Sequence, residues 1–311
     1  MANEICERGM LVSLSIQGLG AILSEVEDKR IGDELAVREG VNPEVLRVMK
    51  RLLDPKRVPE IKAVSTARNE LYTYFRKHTL RWSEPGWGGL PATQYFDFTG
   101  AINERKDALE GTFNTVLARW PELEVQAKAA LNGAWKDDDW PDAETLRRKF
   151  AVRVKVRPLA DASQFRALIG VDEEIAAVRK QIEEDLGRDL TAGLIDLLRQ
   201  LRTFLADEKT GFITRVGSYE VDPQGKVLKS FKDSAVVSLR ELCARVRSLN
   251  MMGEPHLNQL IDEIESGVCN HSAEDLRDNH VLRTQTVEHA ELVAKKLAAV
   301  EEIFGRRLEA A

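Results

Sequence analysis

One apolar seam dominates this chain. Ile175, Val178, Ile182, Leu186, Leu190, Leu194, Leu197, Leu201 and Phe204 recur at steps of three and four residues, the spacing that puts side chains on one face of an α-helix. Held over about thirty residues at a rise of about 1.5 Å each, the pattern predicts one helix about 50 Å long. A stripe of that length needs an equally long apolar surface to cover it, which argues for a helical hairpin or a coiled coil. Asp172 is the expected N-cap, with Glu173 and Glu174 favouring the helix dipole in the first turn. Gly187 and Gly193 interrupt the run. Each costs roughly 1 kcal/mol against alanine inside a helix, so each reads as a close contact or a bend. The partner for the seam lies near the end of the chain. There "SAED" at Ser272 opens a last long helix toward Leu308, whose buried face would include Leu276, Val287, Leu297, Val300 and Phe304.

The remaining pattern is mostly helix with clear punctuation. A short helix is expected from Asn42-Pro43 to Leu53, stopped by Asp54-Pro55. A second reaches Lys77 with Ile61, Val64, Leu71 and Phe75 at helical spacing. A third covers residues 98–119 with Ile102, Leu109, Phe113 and Val116 on one face. Trp120-Pro121 breaks it, and a short helix then runs to the Asn132-Gly133 stop. Asp142 is an expected N-cap for one or two turns. Helices resume at Asp233 with Val236, Val237, Leu242, Val246 and Leu249, break at "LNMMGEP", and return with Leu257, Leu260, Ile261 and Ile264. Gly18-Leu19-Gly20 falls in an apolar helical pattern without a third glycine or a preceding strand, so no nucleotide loop is expected there.

Strand signals are few. Phe150, Val152, Val154 and Val156 alternate with Ala151, Arg153, Lys155 and Arg157, the period of a half-buried strand. "SQFRAL" is its candidate partner. A second hairpin is expected around Asp222-Pro223-Gln224-Gly225, with Phe212, Ile213, Val216 and 219–221 before the turn and "KVLKSF" after it. The expected fold class is mainly α, a long-helix hairpin or coiled-coil-like bundle with a minor antiparallel β element. A boundary near residues 133–141 would separate an N-terminal helical domain, 1–135, from a long-helix domain with small β-hairpins, 136–311.

"HTLRWSEPGWGGLPATQYFDF", residues 78–98, departs from the helical pattern and holds two of the five tryptophans. At about twenty residues it is longer than most helix connections, and it reads as a loop packed by its own aromatics. The competing reading is a protein-docking patch anchored by Trp82 or Trp87.

Net charge of −6 excludes the whole surface as an electrostatic partner for DNA or an anionic membrane. One local exception stands out. Arg147, Arg148, Lys149, Arg153, Lys155 and Arg157 place six cations in eleven residues with no acid among them. A basic strand face can track phosphates; its plain reading is an exposed strand whose cations pair with acidic helices and guard an edge. Three scattered cysteines form no disulfide framework and suit a reducing compartment. The apolar run at residues 10–23 lacks a basic n-region and is broken by Gln17 and glycines, so neither a signal peptide nor a membrane span is expected. Cys269-Asn270-His271, with His256, His280 and His289, lacks zinc spacing. Asp137, Asp138, Asp139 and Asp142 lack the spacing of a calcium loop and read as a solvated loop. No catalytic residue, cofactor or metal ligand set is expected.

Several pieces in order, "LVSLSIQGLGA", "TLRW", "GWGGLPATQYFDF", "KFAVRVKVRPLADASQFRALIGVDEEIAAVRKQIEEDL", "FKDSAVVSLRELCARVRSLNMMGEPHLNQLIDEIE" and "AEDLRDNHVLRTQTVEHA", span nearly the whole chain. Together they resemble an uncharacterised family of phage and prophage proteins, a domain of unknown function. Genes of that family often stand beside a MoxR-type AAA+ ATPase and a protein with a von Willebrand factor A domain. The resemblance implies a non-catalytic structural or interaction protein in the cytoplasm of a bacterial host, a component or client of the ATPase system, with self-association through the seam as an option. The alternative is a nucleic-acid-binding protein acting in phage replication, recombination or DNA protection.

Overall fold

The computed structural model describes residues 9–159, 172–224 and 226–310. In chain order the elements are β1 (Gly9–Gln17), α1 (Gly20–Leu23), β2 (Glu25–Glu27), α2 (Lys29–Glu39), β3 (Met49–Arg51), α3 (Pro59–His78), β4 (Leu80–Arg81), β5 (Trp87–Pro91) and α4 (Tyr95–Ala118). There follow α5 (Trp120–Leu131), α6 (Ala143–Lys149), β6 (Ala151–Pro158), α7 (Asp172–Ala206), α8 (Phe212–Gly217), β7 (Glu220–Val221), β8 (Val227–Lys229), α9 (Ser234–Ser248), α10 (Pro255–Gly267), α11 (Ala273–Asp278) and α12 (His280–Ala310). The fold is mainly α. Among the described residues a four-stranded sheet has the strand order β4-β5-β1-β6, and two-stranded antiparallel pairs form from β2 with β3 and from β7 with β8. The chain forms two compact units, neither continuous in sequence. The first takes the described residues of Met1–Val12, Arg76–Tyr95 and Val156–Ala311; the second takes Ser13–Phe75 and Phe96–Lys155.

In the first unit α7 packs along α12. The Glu301 carboxylate of α12 joins them, accepting from Arg199 Nε at 3.1 Å and Arg202 Nε at 3.0 Å. The seam residues Leu186, Leu190, Leu194, Leu197 and Leu201 are buried as their spacing predicts. Ile195, Leu198 and Leu205, off the seam, are buried as well. The stripe is therefore broader than a two-stranded seam requires, because β4, α8 and α9 pack against α7 as well. Gly193 makes the approach of β4 possible. A Cβ there would stand 2.5 Å from Leu80 Cγ and 2.8 Å from the Arg81 carbonyl oxygen, whereas a Cβ at Gly187 would meet nothing within 4 Å. Gly193→Ala is accordingly expected to lower stability by about 1–3 kcal/mol through overpacking. Gly187→Ala should raise it by up to about 1 kcal/mol through helix propensity. Denaturant midpoints of the two variants check both signs.

The last helix differs from expectation. It is two helices, α11 and α12, divided at Asn279, whose side chain accepts from Leu282 N at 3.0 Å and so starts α12. Ser272 opens α11 with a reciprocal capping box to Asp275. Phe212 to Gly217, expected as strand, is the helix α8, which inserts Phe212 and Val216 into the core. The hairpin that remains is β7 with β8 alone. Residues 163–168, expected as a returning strand, lie outside the described residues, as do Cys6 and Gly225.

The glycine-rich stretch is also different from a self-packed loop. It makes the antiparallel pair β4–β5, with Leu80 opposite Gly89 and Arg81 opposite Gly88. Gly88 lets Thr79 lie against the strand, since a Cβ would stand 2.6 Å from Thr79 Cβ.

In the second unit α3 and α4 run antiparallel. Phe98 packs its ring against Tyr74 at 5.9 Å and Phe75 at 6.3 Å, while at the other end Arg119 pairs with Glu60. The predicted inward residues Ile61, Val64, Leu71, Ile102, Leu109, Phe113 and Val116 are all buried. The helix expected over residues 43–53 is instead one 3-10 turn at Pro43–Val45 and the strand β3. The N-terminal apolar run, read as helical around its glycines, is the strand β1 up to Gln17 and helix only in the single turn α1.

β3 places Lys50 in a buried ionic cluster, which supplies a physical reason for strand over helix. Its ammonium meets Asp139 at 2.6 Å and Asp28 at 3.2 Å and donates to the Ala134 carbonyl at 2.6 Å. Asp28 also caps α2 through Ile31 N at 3.2 Å and meets Lys136 at 3.4 Å. Burial pushes the Asp28 carboxyl upward, but the Ile31 N–H and the two ammoniums outweigh it and hold its pKa at about 2 against an ordinary 3.8. A depressed folded value means the stability it contributes is complete above pH ~4 and is lost as the pH falls toward ~2. Acid unfolding is expected to steepen across that window, and Asp28→Asn should remove that part of the pH dependence.

Candidate nucleic-acid interface

The basic segment is built from a short helix and the strand that follows it. Asp142 starts α6 by accepting from Thr145 N and from Thr145 Oγ1, both at 2.7 Å, and these two bonds hold its carboxyl below the usual range. Leu146 is the helix's buried anchor. Phe150, at the turn from α6 into β6, stacks on Phe113 of α4 with ring centroids 3.9 Å apart and 17° between planes. Gly18 closes the other side. Its φ of +82° and its missing side chain let the end of β1 lie against the Lys149–Phe150 peptide, where a Cβ would be 2.5 Å from the Lys149 carbonyl carbon. The glycine pair at Gly18 and Gly20 thus has a packing role at Gly18. A glycine closing an apolar run was the signal available for it.

On this frame Arg147, Arg148, Lys149, Arg153 and Lys155 are all exposed. None of these five makes an ion pair among the described residues. Arg147, Arg148 and Lys149 occupy the last turn of α6, where cations complement the helix dipole. That effect does not account for Arg153 and Lys155, which sit two apart on β6 and so share one face of the strand. Among the described residues β6 is the end strand of its sheet, so its cations also discourage edge pairing there. Arg157 differs from the other five. It pairs with Glu84 and lies over the Trp87 ring at 4.1 Å, both in the first unit. The alternation expected inward also fades at its end, since Val156 is 47% exposed.

Trp82 and Trp87 are half-buried against the first unit's core, and Arg157 covers one face of Trp87. The acidic run is absorbed structurally. Asp139 holds Lys50, Asp137 accepts from the Trp135 indole at 2.9 Å, and Asp142 caps α6. Beside it Trp140 stacks on Trp120 at 4.2 Å. Among the described residues no three His, Cys, Asp or Glu side chains gather as a metal site, and no helix is long and apolar enough to cross a membrane. No protein-family model, curated protein or solved structure matches the chain.

Proposed function

We propose that this protein binds nucleic acid without a chemical step, through the phosphate backbone and the basic face of α6 and β6. The observation that carries the reading is the set of five exposed cations, Arg147, Arg148, Lys149, Arg153 and Lys155, with no carboxylate partner among the described residues on a chain of net charge −6. Acidic side chains are in excess overall, so a cluster left unpaired is unusual and suits a polyanion. The one aromatic within the segment, Phe150, is stacked on Phe113, and ammonium and guanidinium groups favour sequence-independent backbone contact over base stacking. Titrating a fluorescent duplex at several salt concentrations tests it. Binding should weaken steeply with salt, and the absence of binding at low salt would remove the reading.

A second reading is favoured by a separate surface. Val281, Leu292 and Ile303 of α12 are 64%, 50% and 46% exposed. They recur every eleven residues, which on an α-helix is about 20° beyond three full turns, so they line one face. In the phage or prophage setting that the resemblance implies, α7 and α12 would act as a long-helix hairpin. This apolar stripe would then meet a second copy or a protein partner such as a MoxR-type AAA+ ATPase or a von Willebrand factor A domain protein. Light scattering of the chain alone and mixed with the ATPase separates these outcomes; a strict monomer that ignores the ATPase would remove this second reading.

A further inference from the structure

Within the first unit, the C-terminal end of α3, the end of α7 and one face of α9 enclose a groove of about 660 Å³. Ser238, Glu241, Leu242, Arg245 and Ser248 contribute from α9 at helical spacing, with Lys77 and Phe204 opposite. Arg245 is its central cation. Nη1 donates to Gln200 Oε1 at 3.0 Å and Nη2 to the Arg76 carbonyl at 2.8 Å, so both fixed partners are neutral oxygens. Nε has no partner. A guanidinium carries five N–H donors, and here the protein uses two of them without supplying a hydrogen-bonded carboxylate. Burial pulls its pKa below the ordinary guanidinium value, against the longer-range charge of Asp196. Lys77 is exposed and has no ion pair among the described residues; Glu241, the one acid at the groove, pairs with neither cation.

We propose that this groove binds a phosphate monoester, its oxygens on Arg245, Lys77 and the Ser238 hydroxyl and its apolar or aromatic body on Leu242 and Phe204. A fixed guanidinium fork with donors to spare, an ammonium and a hydroxyl suit three phosphate oxygens better than the two of a carboxylate. The half-buried Leu242 and Phe204 give the groove a use for an organic body that inorganic phosphate lacks. This site is separate from the basic face of the second unit and does not depend on it.

The test is calorimetric titration of the full chain with phenyl phosphate, inorganic phosphate, benzoate and a short DNA duplex. Phenyl phosphate should bind more tightly than the other two small anions. Arg245→Met should weaken it by roughly tenfold to a hundredfold, the scale of a charged hydrogen bond. Lys77→Met, an exposed change that leaves the Gln200 and Arg76 bonds in place, should weaken it less but measurably, and this variant decides the matter if Arg245→Met does not fold. Alanines at Arg153 and Lys155 should leave phenyl phosphate binding unchanged while reducing duplex binding. No binding of phenyl phosphate, a preference for benzoate, or affinity indifferent to Lys77→Met would overturn the proposal. Phenyl phosphate affinity that falls in the Arg153 and Lys155 variant would do the same, by placing the anion on the other unit.

Discussion

Replacing Arg147, Arg148, Lys149, Arg153 and Lys155 together by alanine is expected to abolish duplex binding while leaving the chain folded. If all five contact phosphates, the logarithm of the binding constant should fall with the logarithm of salt at a slope of about −4.5, taking roughly 0.9 per neutralised phosphate. Removing only Arg153 and Lys155 should flatten that slope by about 2, near one unit per cation. This pair is the more informative variant. The three cations of α6 also favour its C-terminal dipole at about 0.3–1 kcal/mol each, so their loss touches stability as well as binding. Arg153 and Lys155 are exposed and unpaired among the described residues, and such surface changes usually move stability by no more than about 0.5 kcal/mol. A loss of binding in that variant therefore reports on contact with the ligand.

Phe113→Ala is expected to cost the second unit about 3–5 kcal/mol, the range for truncating a buried aromatic. Phe113 is 2% exposed and stacks on Phe150 at the turn from α6 into β6. Its removal opens a cavity beneath the segment that carries the five cations. Denaturant unfolding should show a lowered midpoint at unchanged slope. Duplex binding should weaken in step with the folded fraction while the salt slope stays as in the parent chain. That combination separates a scaffold residue from a contact residue.

The helices were legible where the apolar side chains stay on one face. Ile61 to Phe75, Ile102 to Val116 and Leu257 to Ile264 keep a single apolar stripe, and the spacing alone places them. Legibility failed where a tertiary partner outweighs local pattern. β3 is a strand because pairing with β2 and the buried Lys50 cluster require it, and no local period announces a lysine that must reach Asp28 and Asp139. β1 mixes small and apolar residues, so its period is weak, and only Gly18 marks its end. The two units are each assembled from separated stretches, which leaves no composition break to read. For the candidate site, the run of cations was visible, but pairing was not. Arg157 finds Glu84 seventy-three positions away, while its neighbours on the same strand find no acid among the described residues. Arg245 was silent in the sequence because its meaning lies in its neutral partners, Gln200 and the Arg76 carbonyl.

The most direct measurement is fluorescence anisotropy of the full chain, parent and Arg153→Ala/Lys155→Ala, with duplexes of two unrelated sequences between about 50 and 200 mM salt. Sequence-independent phosphate binding through α6 and β6 predicts equal affinity for both duplexes, a steep salt dependence in the parent, and a slope flatter by about 2 in the variant. No binding at the lowest salt, or the same salt slope in parent and variant, would contradict it.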